Sequence, residues 1–555
     1  MKIRLNYDEK NEKQLMAVDL FNKYNTRYDL TENETADIEL TLKIDNQLKP
    51  ESYKIDRSEH QIILVGADIL GLLHGVGRVL HKAPDKIKSE YRVPEKRMRG
   101  IYFATHFYNY YQAAPLDKIN DYLEEMVLWG CNCVCTWFDM HHFKGFNDSG
   151  AVELLERIKS IFTLAKKLGM KVYLGTLANE YYSTTPEDLL ATNVIEGTEY
   201  FQTPCGYYNT EICPSVPGGE ELIISSHMEV IDYFADVNLD YIHLWPYDQG
   251  GCTCEKCSPW GTNGFLKISE KLALEIRKKC PESKIILSTW RFDCFVKGEW
   301  DEFLGYLDNQ EMFFDILLAE LESPFVPQQV YKKAKDNGTD VIGFPEISML
   351  TAVPWGGFGA VPVPAFIENS YKKTEMHHSG GIAYSEGIFE DINKIIILSM
   401  YFGGDTVAEV LEDYFGYYFS DDTTALCIEL VKCLESSLTR SRINDKGMVD
   451  DFPTEDVVEY SPLFKIKNTE CVEKALKLAN EIKDRLSVDK KDSNRFRMLY
   501  LRAVIDKALV DNDGMLSDET EKASQELEKI YYAHNADYAV CPITKKAIRE
   551  NRGHI

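Results

Sequence analysis

The sequence predicts an α/β protein: a (β/α)8 TIM barrel preceded by a small α/β domain and followed by an α-helical domain. Three observations carry this. Between Met98 and Gly404, eight short apolar runs alternate with helical stretches, the pattern of a parallel barrel. Ahead of them lie strand-like runs with few helices. Behind them, from Asp405, apolar positions recur at helical period with few strand signals. A chain of 555 residues is also longer than one core usually supports. The boundaries read are 1–95, 96–404 and 405–555.

In chain order, Lys13 to Tyr24 reads as a helix and Ala36 to Ile44 as a strand, and Ser52 to Asp56 with Gln61 to Val65 reads as a hairpin. Ile69 to Leu80 reads as a helix despite Gly71, Gly75 and Gly77. Glycines destabilise a helix interior, so close packing against a sheet is expected to compensate. The barrel strands are expected at Arg99–Thr105, Cys131–Phe138, Lys171–Leu177, Tyr241–Trp245, Lys284–Thr289, Phe314–Ala319, Asp340–Phe344 and Gly381–Ser385. Helices are expected between them, such as Leu116–Leu128, Ala151–Leu168, Glu220–Phe234 and Gly264–Lys279. A doubly wound sheet would be expected to show a glycine-rich phosphate loop after its first strand, and none is present.

Composition narrows the function. A net charge of -27 argues against nucleic acid or an anionic membrane as partner, because such binding needs clustered Lys and Arg. No window approaches the roughly 20 apolar residues of a membrane span, and Met1–Asp8 lack the apolar stretch of a secretion signal. Cys131, Cys133 and Cys135 alternate along one predicted strand, which places them on one face and suits thiols better than disulfides. A cytoplasmic protein is expected.

The predicted strand ends carry the chemistry. The most informative run is Tyr241-Ile242-His243-Leu244-Trp245-Pro246-Tyr247-Asp248-Gln249-Gly250-Gly251: a buried strand delivering rings and a carboxylate into a glycine-marked loop. Active sites of parallel barrels lie at that end of the strands. The other strands contribute His106; Trp137, Asp139, His141 and His142; Asn179 and Glu180; Trp290, Arg291 and Asp293; Glu320 and Glu322; Glu346; and Tyr384, Ser385 and Glu386. Any single one of these is better explained by a loop ion pair. As a set, tryptophans and carboxylates at one rim are the composition of a sugar pocket, where a ring stacks while carboxyl groups work on its oxygens. Asp248 is the leading acid, in an aromatic setting able to shift its pKa. Glu346 and Glu386 are the best second carboxyls. His106, Trp137, Asp139, His141, Glu180, Trp245, Tyr247, Trp290, Arg291, Glu320 and Tyr384 are read as substrate-binding. No cofactor is expected for catalysis.

Cys252, Cys254 and Cys257 follow directly, with metal-like spacing. Two readings stand: a closed structural zinc site completed by Cys213 or Cys205, Cys213 first, or reduced cysteines in a loop. A catalytic zinc would be expected to use His and carboxylate ligands instead.

The segment from Glu51 to Asp56, through Ile62–Asp68 and Gly71-Leu72-Leu73-His74-Gly75, resembles the accessory N-terminal domain of β-hexosaminidases. Families 20, 67 and 84 of the glycoside hydrolases share that domain ahead of a barrel, and Arg99-Gly100-Ile101 fits the same pattern. Pro246 to Cys257 is similar to the Asp-Gly-Gly and Cys-x-Cys-x-x-Cys run of family 163, the endo-acting N-acetylglucosaminidases. The resemblance implies a glycoside hydrolase acting on an oligosaccharide or glycoside that contains N-acetylhexosamine. One departure weakens the match to family 20, whose adjacent Asp-Glu orients the acetamido group and supplies the acid: here the pair is Asp248-Gln249. Two alternatives remain open. One is an α-glucuronidase-like enzyme in which Arg291 pairs with a uronate. The other is a catalytically silent carbohydrate-binding barrel, hinted at by Gln249.

Overall fold

The computed structural model describes residues 1–32, 36–106, 110–192, 210–247, 251–293, 296–309, 311–319, 326–345, 347, 362–388, 390–437, 468–513 and 517–531. The N-terminal sheet comprises β1 (Lys2–Asn6), β2 (Asp29–Leu30), β3 (Ile38–Ile44), β4 (Tyr53–Arg57), β5 (Gln61–Gly66) and β6 (Glu90–Arg92) in the order β2-β1-β3-β5-β4-β6. β4 and β5 form the expected antiparallel hairpin, with Ile55 opposite Leu64. The alternation of buried and half-exposed residues along β5 explains its one-sided burial.

The glycines of helix Ile69–His81 serve two different contacts. A Cβ on Gly75 would meet the Leu64 side chain of the sheet at 2.3 Å, as expected. One on Gly77 would fall 1.8 Å from the carbonyl oxygen of Leu128, on the barrel helix Leu116–Leu128. The small domain therefore packs against the barrel as closely as against its own sheet.

The barrel closes through eight parallel strands: β7 (Met98–Phe103), β8 (Cys133–Trp137), β9 (Lys171–Leu177), β10 (Tyr241–Trp245), β11 (Lys284–Ser288), β12 (Ile316–Ala319), β13 (Asp340–Gly343) and β14 (Gly380–Ser385). β14 pairs back onto β7, with Ala383 opposite Ile101. Strands flanked by helices bury both faces, and every residue of β7, β8 and β14 is buried.

At the N-terminal end of the strands, buried Arg99 donates to Glu51 of the small domain at 2.6 Å, and the Asn132 side chain donates to the same carboxylate at 2.9 Å. This seam lies opposite the rim that bears the sugar-pocket candidates. Beyond the barrel come helices Val407–Tyr418, Thr424–Ser437, Thr469–Arg485, Asn494–Asp511 and Asp518–Tyr531. Asp405, just before the first of them, pairs with Arg78 at 3.0 Å and Arg92 at 2.5 Å, tying this region to the small domain. Among the described residues, no helix is long and apolar enough to cross a membrane.

Candidate active site

The barrel mouth is floored by rings. Trp245 of β10 lies 5.6 Å from Trp290 and 5.1 Å from Phe344 between ring centroids, and Trp290 lies 5.4 Å from Phe344. Phe344 continues to Tyr384 at 5.9 Å, and Tyr384 stacks on Tyr102 at 5.4 Å. From Tyr102 the belt passes to His106 and on to Trp137 and His141. Six of the eight strands or their ends thus contribute to one aromatic surface. The indole N–H groups of Trp245 and Trp290, and both ring nitrogens of His243, are buried without a hydrogen-bond partner among the described residues. Such buried polar groups cost about 1–3 kcal/mol each unless solvent or a ligand meets them.

Beside the rings sits a buried acid–imidazole group. Glu180, just past β9, accepts from Trp137 Nε1 at 3.0 Å, and its other oxygen lies 2.7 Å from His141 Nδ1. Asp139 lies 2.8 Å from His142 Nε2. Burial, then the charge of Asp139, holds the Glu180 carboxyl well above the usual range. Burial also raises Asp139, against the pull of His142. Burial, reinforced by His142, pushes His141 well below neutrality, and burial brings His243 down to about 3. Burial therefore disfavours charge on His141, His243, Glu180 and Asp139, the kind of environment that tunes a carboxyl for general-acid work. One ligand atom from each of Asp139, His141 and His142 falls within 4.8 Å of the others, a donor set that suits proton transfer or a cation.

The structure brings most of the sequence-derived candidates together and sets others apart. His106, Trp137, Asp139, His141, Glu180, Trp245, Trp290 and Tyr384 all belong to the belt or the acid group. Glu386 is half-buried and accepts from the Tyr384 hydroxyl at 3.2 Å. Arg291 is buried with its guanidinium 5.6 Å from the Trp290 ring, and its backbone is left-handed (φ 58°), as is that of Asp293 (φ 65°). Asp248, Glu320 and Glu346 lie outside the described residues. Tyr247 is placed differently from the rest. It is 1% exposed and its hydroxyl donates to Glu299 at 2.5 Å, beneath the loops.

Several contributors escape the sequence reading. Tyr102 and Phe344 look like ordinary core residues, and only the barrel register turns them toward the mouth. Glu299 opens helix Glu299–Asn309 and reads as one more first-turn acid. It is fully buried and accepts from the Tyr247 hydroxyl, Gly261 N at 2.6 Å and Asp293 N at 2.8 Å. Burial raises it to about 7.

Next to the pocket, Cys213, Cys252, Cys254 and Cys257 bring their sulfurs within 4.8 Å of one another. Cys205, the other candidate fourth ligand, lies outside the described residues.

With this geometry in hand, comparison with known proteins gives a fold-level answer. No protein-family model and no curated sequence matches the chain. Solved structures do match. A family 89 glycoside hydrolase from Clostridium perfringens, in complex with its substrate GlcNAc-α-1,4-galactose, superposes with a TM-score of 0.59 at 13% identity, over 94% of this chain and 64% of that one. A family 138 glycoside hydrolase targeting pectin rhamnogalacturonan II gives 0.55 at 12% identity, over 97% and 74%. The fold is shared with glycoside hydrolases. A family 20 exo-β-N-acetylglucosaminidase from Vibrio harveyi matches at 0.49 and 12% identity, over 78% and 74%. The chain thus spans about two thirds of the family 89 enzyme.

Proposed function

We propose that the protein is a glycoside hydrolase acting on an oligosaccharide or glycoside that contains N-acetylhexosamine, with carboxyl groups of its own chain as acid and base. The observation that carries this is the aromatic floor at the C-terminal rim, whose Trp245 and Trp290 N–H groups have no partner among the described residues, together with the buried Glu180 carboxyl against Trp137. A pyranose offers both a C–H face to stack and hydroxyls to satisfy such donors. The sugar bound by the family 89 relative supports the N-acetylhexosamine part of the reading.

In the proposed mechanism, Asp248 protonates the leaving oxygen, and Glu346 or Glu386 supports the developing positive charge at the anomeric carbon. Trp245, Trp290 and Tyr384 hold the ring. Glu180, clamped by Trp137 and His141, orients the sugar and keeps the Asp139–His142 pair in register. Catalysis takes no cofactor in this reading. A cytoplasmic location belongs to the same proposal, supported by the free, buried thiols of Cys131, Cys133 and Cys135 along β8.

A second reading, an enzyme for an acidic sugar, is favoured by one observation: the buried Arg291 guanidinium beside Trp290. Aryl glycosides of N-acetylhexosamines, uronic acids and neutral sugars, in both anomers, separate the two. Turnover confined to the hexosamine set is expected. Turnover of uronides alone would transfer the assignment to Arg291, and binding without turnover of any member would leave a carbohydrate-binding barrel.

A further inference from the structure

We propose that Cys213, Cys252, Cys254 and Cys257 hold one zinc ion, which pins the segment after β9 to the loop after β10. The Cys213 sulfur lies 3.8 Å from that of Cys254 and 3.9 Å from that of Cys257. Zinc–sulfur bonds of about 2.3 Å in a tetrahedron set neighbouring sulfurs about 3.8 Å apart. A disulfide would need about 2.05 Å, and all four cysteines are free. Three of the four are buried and Cys254 is half-buried. A dication would bind the four sulfurs as thiolates.

The backbone is arranged for the same purpose. Cys257 N and Ser258 N both donate to the Cys254 carbonyl, at 3.0 and 2.9 Å, which curls the loop so that the last two ligands converge. The Ser215 hydroxyl lies 3.0 Å from the Cys257 sulfur, a hydrogen-bonding distance that fits the support metal ligands receive from their neighbours. Four protein ligands leave no position for water, so the ion is structural.

Its role follows from what lies beside it. The Asn179 side chain donates to the carbonyls of Ile212 and Gly251 at 3.0 Å each and accepts from Gly251 N at 3.0 Å. Ile212 and Gly251 directly precede the ligands Cys213 and Cys252. The amide and the metal therefore grip the same two segments from adjacent positions, and the residue after Asn179 is Glu180 of the acid group. The ion acts as a positioning element, remote from the sugar.

The full chain, purified without added metal, tests this by elemental analysis, and by zinc release to a chromogenic chelator as a mercurial titrates the thiols. About one zinc per chain is expected, leaving in step with four thiols. Cys254→Ser should lose it, whereas Cys280→Ser, outside the cluster, should retain it. Zinc far below stoichiometry in folded wild-type protein, with these thiols alkylating freely or recovered as disulfides, overturns the proposal, as does iron in its place. Should Cys254→Ser fail to fold, the wild-type titration decides alone. The readout is metal, so it is independent of the glycosidase assignment.

Discussion

Glu299 makes a prediction whose size follows from its surroundings. Its carboxyl is fully buried and receives hydrogen bonds from Tyr247, Gly261 and Asp293, yet burial outweighs them and raises its pKa from 4.5 to about 7. The folded protein holds this proton up to about pH 7, whereas the unfolded chain releases it near pH 4.5. Between those values the folded state binds more protons, so stability is full below the lower pKa and falls as pH rises through the window. The difference corresponds to about 3 kcal/mol. Glu299→Gln keeps an acceptor but cannot ionise. Relative to this variant, wild-type protein should lose most of that amount between pH 5 and pH 8, read as a melting-temperature difference changing by about 5 °C for a domain of this size. Taking the difference between the two proteins cancels every other titrating group. Parallel pH curves would refute the reasoning: the three donors would then suffice to keep Glu299 ionised in the folded state.

Asp248→Asn should lower turnover by at least about a hundredfold with the fold intact by circular dichroism; a near-normal rate on a natural substrate would remove Asp248 from the chemistry. At least one of Glu346→Gln and Glu386→Gln should show a comparable loss, and two mild phenotypes would turn attention to Glu320 and Glu180. Trp245→Ala and Trp290→Ala should raise KM more than they lower the melting temperature. Truncating a buried Trp costs roughly 3–5 kcal/mol, so a large stability loss with unchanged affinity would make them packing residues. Gly77→Ala should lower the melting temperature despite a helix-propensity gain of about 1 kcal/mol, because its new Cβ meets a backbone carbonyl at 1.8 Å. Gly75→Ala, which meets only the end of the Leu64 side chain, should be milder, and the reverse order in calorimetry would contradict the seam described between small domain and barrel.

The barrel was legible because its strands are marked by composition: Tyr241–Trp245 and Lys171–Leu177 stand in the structure at the limits read from sequence. Strand ends then place rim residues without further information, which is why Trp137, Glu180 and Trp290 could be named. What sequence could not supply was which way a side chain turns once the strand has ended. Tyr247 looks equivalent to Trp245, two residues before it, yet it turns down to a carboxyl 52 positions later. No local pattern marks Glu299 as that partner, because an acid in the first turn of a helix is ordinarily a surface residue. Phe344 and Tyr102 were hidden for the opposite reason. Aromatic residues in strands are the commonest core material, and only closure of β14 onto β7 sets which of them face the mouth.

The placement of these hidden partners has a common logic. A barrel strand fixes its own end, but the loop beyond has little apolar surface with which to hold itself. Here the loop after β10 is gripped twice, by Asn179 from the end of β9 and by Glu299 from the far side of β11. Both grips are polar groups that are buried and fully engaged, so neither can slip without leaving an unmet donor or acceptor in a low-dielectric setting. Asp248 and its two neighbours fall between the points so held, Tyr247 on one side and Gly251 on the other. In the proposed mechanism this anchoring of Tyr247 and Gly251 serves the Asp248 carboxyl, since a displacement of an ångström at such a site can cost about a hundredfold in rate. The proposed zinc, held by Cys252, Cys254 and Cys257 just past Gly251 and by Cys213 from the segment after β9, would add a third restraint to the same loop. On this view the motif running from Tyr241 to Cys257 works as one unit: a strand that aims, two polar anchors that hold, and a metal that locks.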